Sequence, residues 1–269
     1  MNDVLDYDLD DLSPVDDTSE DMMEALRAGD LTVLSRHHTA PNGSHSFVLA
    51  HDRSVTWGVP GEPKLVAIVV ARDLSRSTFS FETSHHATAS FAQNWLAERG
   101  CPLDRIALRG GDYIEPADDL TVQVKQRIQR SGTRYEVLDT YTSDYDPSEA
   151  WTLVRDSRAS QAPVRLFHEE WDHDAGTYTM REGAFADVGV AQTWLDERSG
   201  PLPEPPEYSD HNGAVVRARV ARIALARWPP RARPAAVRPS VAATPQTGLD
   251  APRTTAAGPT QRPVQARLL

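Results

Sequence analysis

The sequence has little cysteine and no long apolar run. Its single cysteine, Cys101, excludes an internal disulfide and fits a reducing compartment such as the cytoplasm. The longest unbroken apolar run, Leu65 to Ala71, has seven residues, whereas a membrane span needs roughly 20. The acidic N-terminus does not resemble a secretory signal, because its first basic residue is Arg27. We therefore expect a cytoplasmic protein that makes no membrane contact.

Lysine is also scarce: only Lys64 and Lys125 accompany 26 arginines. This ratio indicates the codon bias of a GC-rich bacterium or its mobile element, so arginine counts are weak evidence for nucleic-acid binding. Charge is divided along the chain, because residues 1–213 carry a net charge of −20 and residues 214–269 a net charge of +9. An acidic body repels phosphates, so nucleic acid is an improbable ligand for the body and a conceivable one for the basic tail.

Several sequence motifs of enzymes and metal proteins are missing. The chain has no glycine-rich phosphate loop, no GxSxG elbow, and neither an HExxH nor a CxxC metal motif. Six of the nine histidines lie between His37 and His86, but without the spacing of a metal site. Cys101 has no neighbouring base and should be inert. We therefore expect no cofactor.

An internal repeat is the most specific signal in the chain. Residues 73–103 align without a gap onto 172–202, with eleven of 31 positions identical. Residues 33–52 align onto 137–156, also without a gap. The offset changes from 104 to 99 between the two blocks, which places five extra residues in the first copy, near Thr56 to Glu62, as a loop insertion.

The repeat predicts an α+β fold with two tandem units. Each unit should contain a helix, a four-stranded antiparallel sheet and a second helix, with the helices covering one sheet face and the two units packed as a pseudo-dimer. The N- and C-terminal tails should be disordered. The predicted divisions are an acidic leader (1–17), repeat one (18–103), a linker with repeat two (104–203), and a tail rich in Pro, Arg and Ala (204–269).

Hydrophobic periodicity and breaking residues locate the elements. In repeat one we predict a helix that is capped by Thr18 or Ser19 and ends at Ala28, strands at 31–37, 46–50, 64–72 and 77–83, and a helix at 86–99. In repeat two we predict a helix at 116–131, strands at 135–141, 150–155, 163–171 and 177–181, and a helix at 185–198.

Matched residues on the closing helices should anchor each repeat. The matched pairs are Trp95 with Trp194, Leu96 with Leu195, and Gln93 with Gln192. A tryptophan one turn after an apolar residue is typical of a core position against the sheet, with ligand stacking as the alternative. The Glu-Arg pairs that follow, Glu98-Arg99 and Glu197-Arg198, are expected to form surface pairs.

The residues that could perform chemistry concentrate in repeat two, in the stretch from His168 to Asp174. The weak catalytic candidates are Glu169, Glu170, Asp172 and Asp174, and the weak metal-ligand candidates are His168 and His173. Two carboxylates on one strand face could act as an acid and a base, and a mixture of His and carboxylates could hold a divalent metal. The aligned stretch of repeat one retains only Asp73 among these groups, so a polar strand end is the competing interpretation.

The C-terminal region has three interpretations. Residues 214–228 can form a basic helix with Val216, Val220 and Ile223 near one face, and the proline-rich sequence beyond residue 229 predicts disorder. The region could be a solvated extension, an electrostatic arm for nucleic acid or an acidic partner, or the out-of-frame end of a GC-rich gene.

The sequence favours a non-catalytic binding or accessory protein that uses its duplicated module, its acidic leader, or both, to hold a protein partner. One alternative is a glycosidase-like hydrolase that uses the carboxylates of repeat two. A further alternative is an acidic mimic of nucleic acid, which would need rows of carboxylates.

Overall fold

The computed structural model describes residues 9–39, 44–54, 61–108, 114–198 and 200–208. Repeat one contains β1 (Ser13–Pro14), α1 (Asp17–Ala28), β2 (Leu31–His38), β3 (His45–Asp52), β4 (Leu65–Asp73), β5 (Thr78–His86) and α2 (Ala89–Glu98). Repeat two contains β6 (Glu115–Pro116), α3 (Asp119–Gln129), β7 (Tyr135–Ser143), β8 (Glu149–Asp156), β9 (Val164–Asp172), β10 (Thr177–Phe185) and α4 (Val188–Glu197). Residues 1–8, and the tail beyond residue 208 with its predicted basic helix, lie outside the described residues.

The two sheets share one topology. Their strand orders are β1-β5-β4-β3-β2 and β6-β10-β9-β8-β7, with the first pair of each parallel and the others antiparallel. The α+β class is therefore confirmed, and the matching order supports tandem units. The prediction of four antiparallel strands is wrong, because each sheet has a fifth strand of only two residues, which is too short to produce an alternating pattern.

Because the parallel edge strand is short, one backbone N–H of the neighbouring strand has no strand partner. A side-chain hydroxyl of the first helix accepts a hydrogen bond from it. In repeat one the chain turns from β1 into α1, and the Ser19 hydroxyl accepts a hydrogen bond from the backbone N–H of Phe81 (3.0 Å). In repeat two the Thr121 hydroxyl accepts one from Met180 (3.1 Å). The predicted cap at Thr18 or Ser19 is therefore wrong. The carboxylate of Asp16 caps α1 through the Ser19 N–H, which leaves the Ser19 hydroxyl for the sheet.

Part of the predicted acidic leader belongs to repeat one. Leu9 and Leu12 pack against the core on the α1 side of the first sheet, and Ser13 pairs with β5. The interleaved leucines of this segment bury apolar surface against the sheet, which stabilises an ordered chain despite the neighbouring aspartates. The predicted boundary at residue 17 therefore lies too far along the chain.

Helices cover both faces of each sheet, not one face as predicted. Side chains alternate along a strand, and β3 and β4 are apolar at nearly every position. Val48 and Ile68 therefore pack on the α1 side of the first sheet, whereas Leu49 and Val69 pack on the α2 side. In repeat two, α3 and α4 divide the two faces in the same way. A strand that is apolar on both faces requires this three-layer arrangement.

Helix α2 joins the two repeats. Its inner face packs on the first sheet, while Phe91 on its outer face enters the core of repeat two. The Phe91 ring lies 5.4 Å from the ring of Phe167 and 6.3 Å from that of Tyr135, between centroids. The Asn94 side chain pairs with both backbone groups of Gly132, at 3.0 and 3.1 Å. The predicted pseudo-dimer is thus a head-to-tail pair, in which α2 meets the α3 side of the next repeat.

The longer connection between β3 and β4 contacts repeat two through its described residues. Residues 53–64 connect β3 to β4, whereas residues 157–163 connect β8 to β9. Among the described residues of the longer connection, Gly61 donates its N–H to the carbonyl of Thr142 (2.9 Å), and Lys64 forms an ion pair with Asp144. The extra length therefore supplies contacts between the repeats. None of the helices within the described ranges is long and apolar enough to cross a bilayer.

Two matched substitutions test the junction. Phe91 is 5% exposed, whereas Leu74, in the turn between β4 and β5, is 56% exposed. Phe91→Ala should lower the free energy of unfolding by about 3 kcal/mol, because it removes a buried ring between two cores. Leu74→Ala should change it by about 0.5 kcal/mol or less. Urea unfolding measures both, and equal effects would show that the junction contributes little.

Candidate functional site

The carboxylate candidates lie on both faces of the second sheet, and the two that share a strand face, Glu170 and Asp172, are both exposed. Glu169 is buried on the α3 side of the second sheet, and Glu170 is exposed on the α4 side. The sheet itself separates them, because consecutive residues of a strand point to opposite faces. Asp172 is exposed at the end of β9, and Asp174 is exposed in the following turn. The four candidates therefore do not line one cleft.

The metal-ligand candidates are also separated. His173 lies in the exposed turn, where its Nε2 is 3.1 Å from the hydroxyl of Ser148. His168 is buried on the α4 side, where its Nε2 is 2.7 Å from Oε2 of Glu149. The Arg198 guanidinium, which follows α4, donates to Oε1 of Glu149 at 2.7 Å and lies 3.1 Å from Nε2 of His168. We call Glu149, His168 and Arg198 the ion-pair cluster.

The ion-pair cluster already contains its cation. One ligand atom each of Glu149, His168 and the exposed Glu170 lies within 4.8 Å of the others, a set that could hold a divalent metal. The Arg198 guanidinium, however, occupies the side of this set where a metal ion would bind Glu149 and His168. Burial raises the pKa of Glu149, but the hydrogen bonds from His168 and Arg198 outweigh it and hold this pKa below its usual value. Glu149 is therefore an ionised carboxylate whose charge is balanced by Arg198, and it is not a proton donor at neutral pH.

The two repeated tryptophans lie in similar surroundings. Trp95 is partly buried on the first sheet, with the guanidinium of Arg99 3.5 Å from its ring centroid. Trp194 is partly buried on the second sheet, with Arg198 5.3 Å from its ring. The arginine of each Glu-Arg pair thus covers a tryptophan, a cation–π contact that the surface-pair interpretation missed. The repetition of Arg99 and Arg198 four residues after each tryptophan was the available signal.

The other matched anchors differ between the repeats. Leu96 is fully buried and Leu195 partly buried, each against its own sheet. Gln93 is buried at the junction, where its amide donates to the carbonyl of Ile106 (2.8 Å), whereas Gln192 is exposed. A shared residue type therefore has two different environments, because among the described residues a following helix packs on the outer face of α2 and none packs on that of α4.

Glu169 is a buried carboxyl group that lies apart from the ion-pair cluster, on the other face of the sheet. Burial raises its pKa to about 7, although a hydrogen bond from Trp171 and the charge of Lys125 act in the opposite direction. Burial also lowers the pKa of Lys125. A carboxyl group with this pKa can exchange a proton near neutral pH, but it lies inside the protein beneath α3, so its effect should be on stability.

Sequence reasoning missed a groove that is lined by arginines. Its lining residues come from α3, the turn after α3 and the turn after β8: Gln123, Gln126, Arg127, Arg130, Ser131, Arg134 and Arg158. The four arginines are separated in sequence, and the codon-bias argument gave them little weight. The spacing of Arg127 and Arg130 on one side of a helix was the available signal. We call this surface the arginine groove.

Two of these arginines are held by buried carboxylates. Arg134 forms a two-point pair with Asp156, from Nε to Oδ1 (2.8 Å) and from Nη2 to Oδ2 (2.5 Å). Arg127 forms an ion pair with Glu182, whose side chain is almost completely buried. Arg130 and Arg158 are exposed, and neither forms an ion pair within the part of the chain that the structure describes. The groove therefore combines two fixed guanidinium groups with two unneutralised ones.

The aligned surface of repeat one has the opposite charge. The capping residues Asp16 and Asp118 occupy equivalent positions before α1 and α3. By that alignment, Asp21 and Glu24 stand where the arginine groove has Gln123 and Gln126, and alanines stand where it has Arg127 and Arg130. The positive charge therefore belongs to repeat two and is not required by the fold. No family model, curated protein or solved structure matches this chain.

Glu169 predicts a pH-dependent stability. Its pKa is about 7 in the folded chain, against an ordinary value of 4.5. As the pH rises between these values, the unfolded chain loses a proton that the folded chain retains, so the free energy of unfolding falls. Glu169→Gln should therefore stabilise the protein at pH 8 by up to about 3 kcal/mol, and change it little at pH 4.

The control is Glu170→Gln, on the exposed neighbour, which should have a small effect at both pH values. Urea titrations at the two pH values compare the variants. A Glu169→Gln variant that is less stable than the parent at pH 8 would show that the charge of Lys125 outweighs the effect of burial.

The ion-pair cluster predicts that Arg198 excludes metal. Arg198→Ala should increase the affinity for Zn²⁺ at least about tenfold, because the competing cation is removed from Glu149 and His168. Isothermal titration with Zn²⁺ measures the change, and Arg99→Ala in repeat one is the matched control. If the parent protein binds Zn²⁺ as tightly as the variant, the guanidinium does not occupy the metal position.

Proposed function

We propose that the chain is a non-catalytic binding protein that holds a protein partner, and that the arginine groove receives an acidic segment of that partner. The observation that carries this proposal is the groove itself: four arginines line one surface of a body whose residues 1–213 have a net charge of −20. A local positive surface attracts negative segments, while the acidic surface around it repels negative ligands that extend beyond the groove, which gives selectivity.

The two kinds of arginine have different roles in this proposal. The pairs to Asp156 and Glu182 hold the guanidinium planes of Arg134 and Arg127 in place, so little side-chain freedom is lost when a partner binds. Arg130 and Arg158 supply the charge that is not neutralised within the described residues. Carboxylates of a partner can form paired hydrogen bonds with such guanidinium groups.

An acidic protein segment suits this surface better than nucleic acid. A nucleic-acid duplex extends well beyond the seven residues that line the arginine groove. Its other phosphates would therefore lie near the acidic residues of the body. At physiological salt, like charges repel one another over a distance of roughly 8 Å. A short peptide can place its carboxylates in the groove without meeting that repulsion.

The other functions have less support from the described contacts. For a hydrolase, Glu170 and Asp172 share a strand face but are both exposed, and the lowered pKa of Glu149 keeps that carboxylate ionised. The sheet surfaces that we expected to bind a partner are covered by helices on both sides. This directs the proposal to a helix surface. The mimic of nucleic acid stays a prediction.

Charge reversal in the groove tests the proposal. A fluorescent twelve-residue peptide of alternating Glu and Ala serves as the probe, and its binding is followed by anisotropy. Arg130→Glu with Arg158→Glu should weaken binding at least about tenfold, and added salt should weaken binding to the parent protein. The control reverses Arg76, exposed in repeat one, and Arg105, exposed in the segment that follows repeat one, and should retain most of the affinity.

A labelled single-stranded oligonucleotide of similar length distinguishes the ligand classes. Tighter binding of the oligonucleotide than of the peptide, or equal losses in the groove variant and the control variant, would contradict the proposal.

A further inference from the structure

Helix α4 exposes the face that α2 buries. Phe91 is 5% exposed on α2, and its counterpart Val190 is 50% exposed on α4. Gln93 and Asn94 are likewise buried, whereas their counterparts Gln192 and Thr193 are exposed. In repeat one this face is covered by the next helix along the chain, α3. No described residue covers it in repeat two.

We infer that residues 214–228 form a helix that packs on this exposed face of α4, as α3 packs on α2. The occupant is a segment of this chain outside the described residues. The inference rests on the repeat, on the path of the chain after α4, and on charge, and it does not depend on the proposed function.

The chain order favours this occupant. Helix α3 begins at Asp119, after α2 ends at Glu98. The segment begins at residue 214, after α4 ends at Glu197, so a comparable length of chain separates each pair. Val216, Val220 and Ile223 are four and three residues apart, and Leu120, Val124 and Ile128 on α3 are four and four apart, so each set falls on one face of a helix. The segment therefore has the position in the sequence that the first helix of a third repeat would have.

The described chain stays against repeat two after α4. Leu202 packs so closely over Gly183 that a Cβ on that glycine would lie 2.5 Å from a Leu202 methyl carbon. The carbonyl of Pro203 accepts a hydrogen bond from Ala184 (2.9 Å), near the strand end from which α4 starts. Glu207 then pairs with Arg165 of β9 (2.6 Å), on the α3 side of the sheet. From there residues 209–213 can span up to about 17 Å, which exceeds the roughly 10 Å between packed layers and allows the next segment to reach α4.

Charge complementarity also favours the segment. Residues 214–228 contain four arginines and no acidic residue. Asp187, Asp196 and Glu197 are exposed at the two ends of α4. A second copy of the chain is a weaker occupant, because its equivalent surface on α1 exposes Asp17, Glu20 and Asp21, and like charges would oppose the contact.

Hydrogen–deuterium exchange of the full chain tests the inference. The amides of residues 214–228 should exchange at least about tenfold more slowly than those of a synthetic peptide of the same sequence. Val190→Lys should abolish this protection, because it places a cation against an arginine-rich segment. The matched control Val137→Lys, at an exposed valine of β7, should leave it intact.

Ile223→Asp tests the same contact from outside repeat two. It should abolish the protection while the amides of β8 to β10 remain protected, which keeps the test valid if Val190→Lys disturbs folding. Exchange of residues 214–228 at the rate of the free peptide would overturn the inference. Protection that disappears on dilution would also overturn it, because a second copy would then cover the face.

Discussion

The packing of α2 between two sheets is the contact on which the rest of the structure depends. Its inner face completes the core of repeat one, and Phe91 on its outer face completes the core of repeat two. A unit of roughly 80 residues buries too little surface to be comfortably stable alone. Sharing a helix between two such units gives each of them a larger core. Gly61 and Lys64, in the described part of the connection between β3 and β4, add contacts to Thr142 and Asp144 of repeat two.

The repeat made much of the fold predictable. Gapless alignment located the equivalent strands, and the change of offset predicted the greater length of the connection between β3 and β4. The two-residue edge strands could not be predicted, since Ser13 and Pro14 carry no periodicity. The second covering layer was missed because a single helix face does not reveal which side of a sheet it packs on. Thr18 or Ser19 was predicted as the cap in place of Asp16, because all three residue types cap helices.

The site was less predictable than the fold. The stretch from His168 to Asp174 attracted attention through its composition, but strand alternation divides it between two faces of the sheet. The partners that give His168 its environment, Glu149 and Arg198, lie on other elements. The arginine groove is assembled from a helix and two turns, so only the folded chain brings Arg130 and Arg158 together. At the aligned positions repeat one has carboxylates or alanines where repeat two has glutamines or arginines, which shows how one fold can present surfaces of different charge.

Calorimetric unfolding tests the central claim, that α2 makes the two repeats one cooperative unit. The account predicts a single transition in which the van't Hoff enthalpy equals the calorimetric enthalpy, because neither core is complete without the shared helix. Two separate transitions, or a van't Hoff enthalpy of about half the calorimetric value, would mean that the repeats unfold independently and would contradict it.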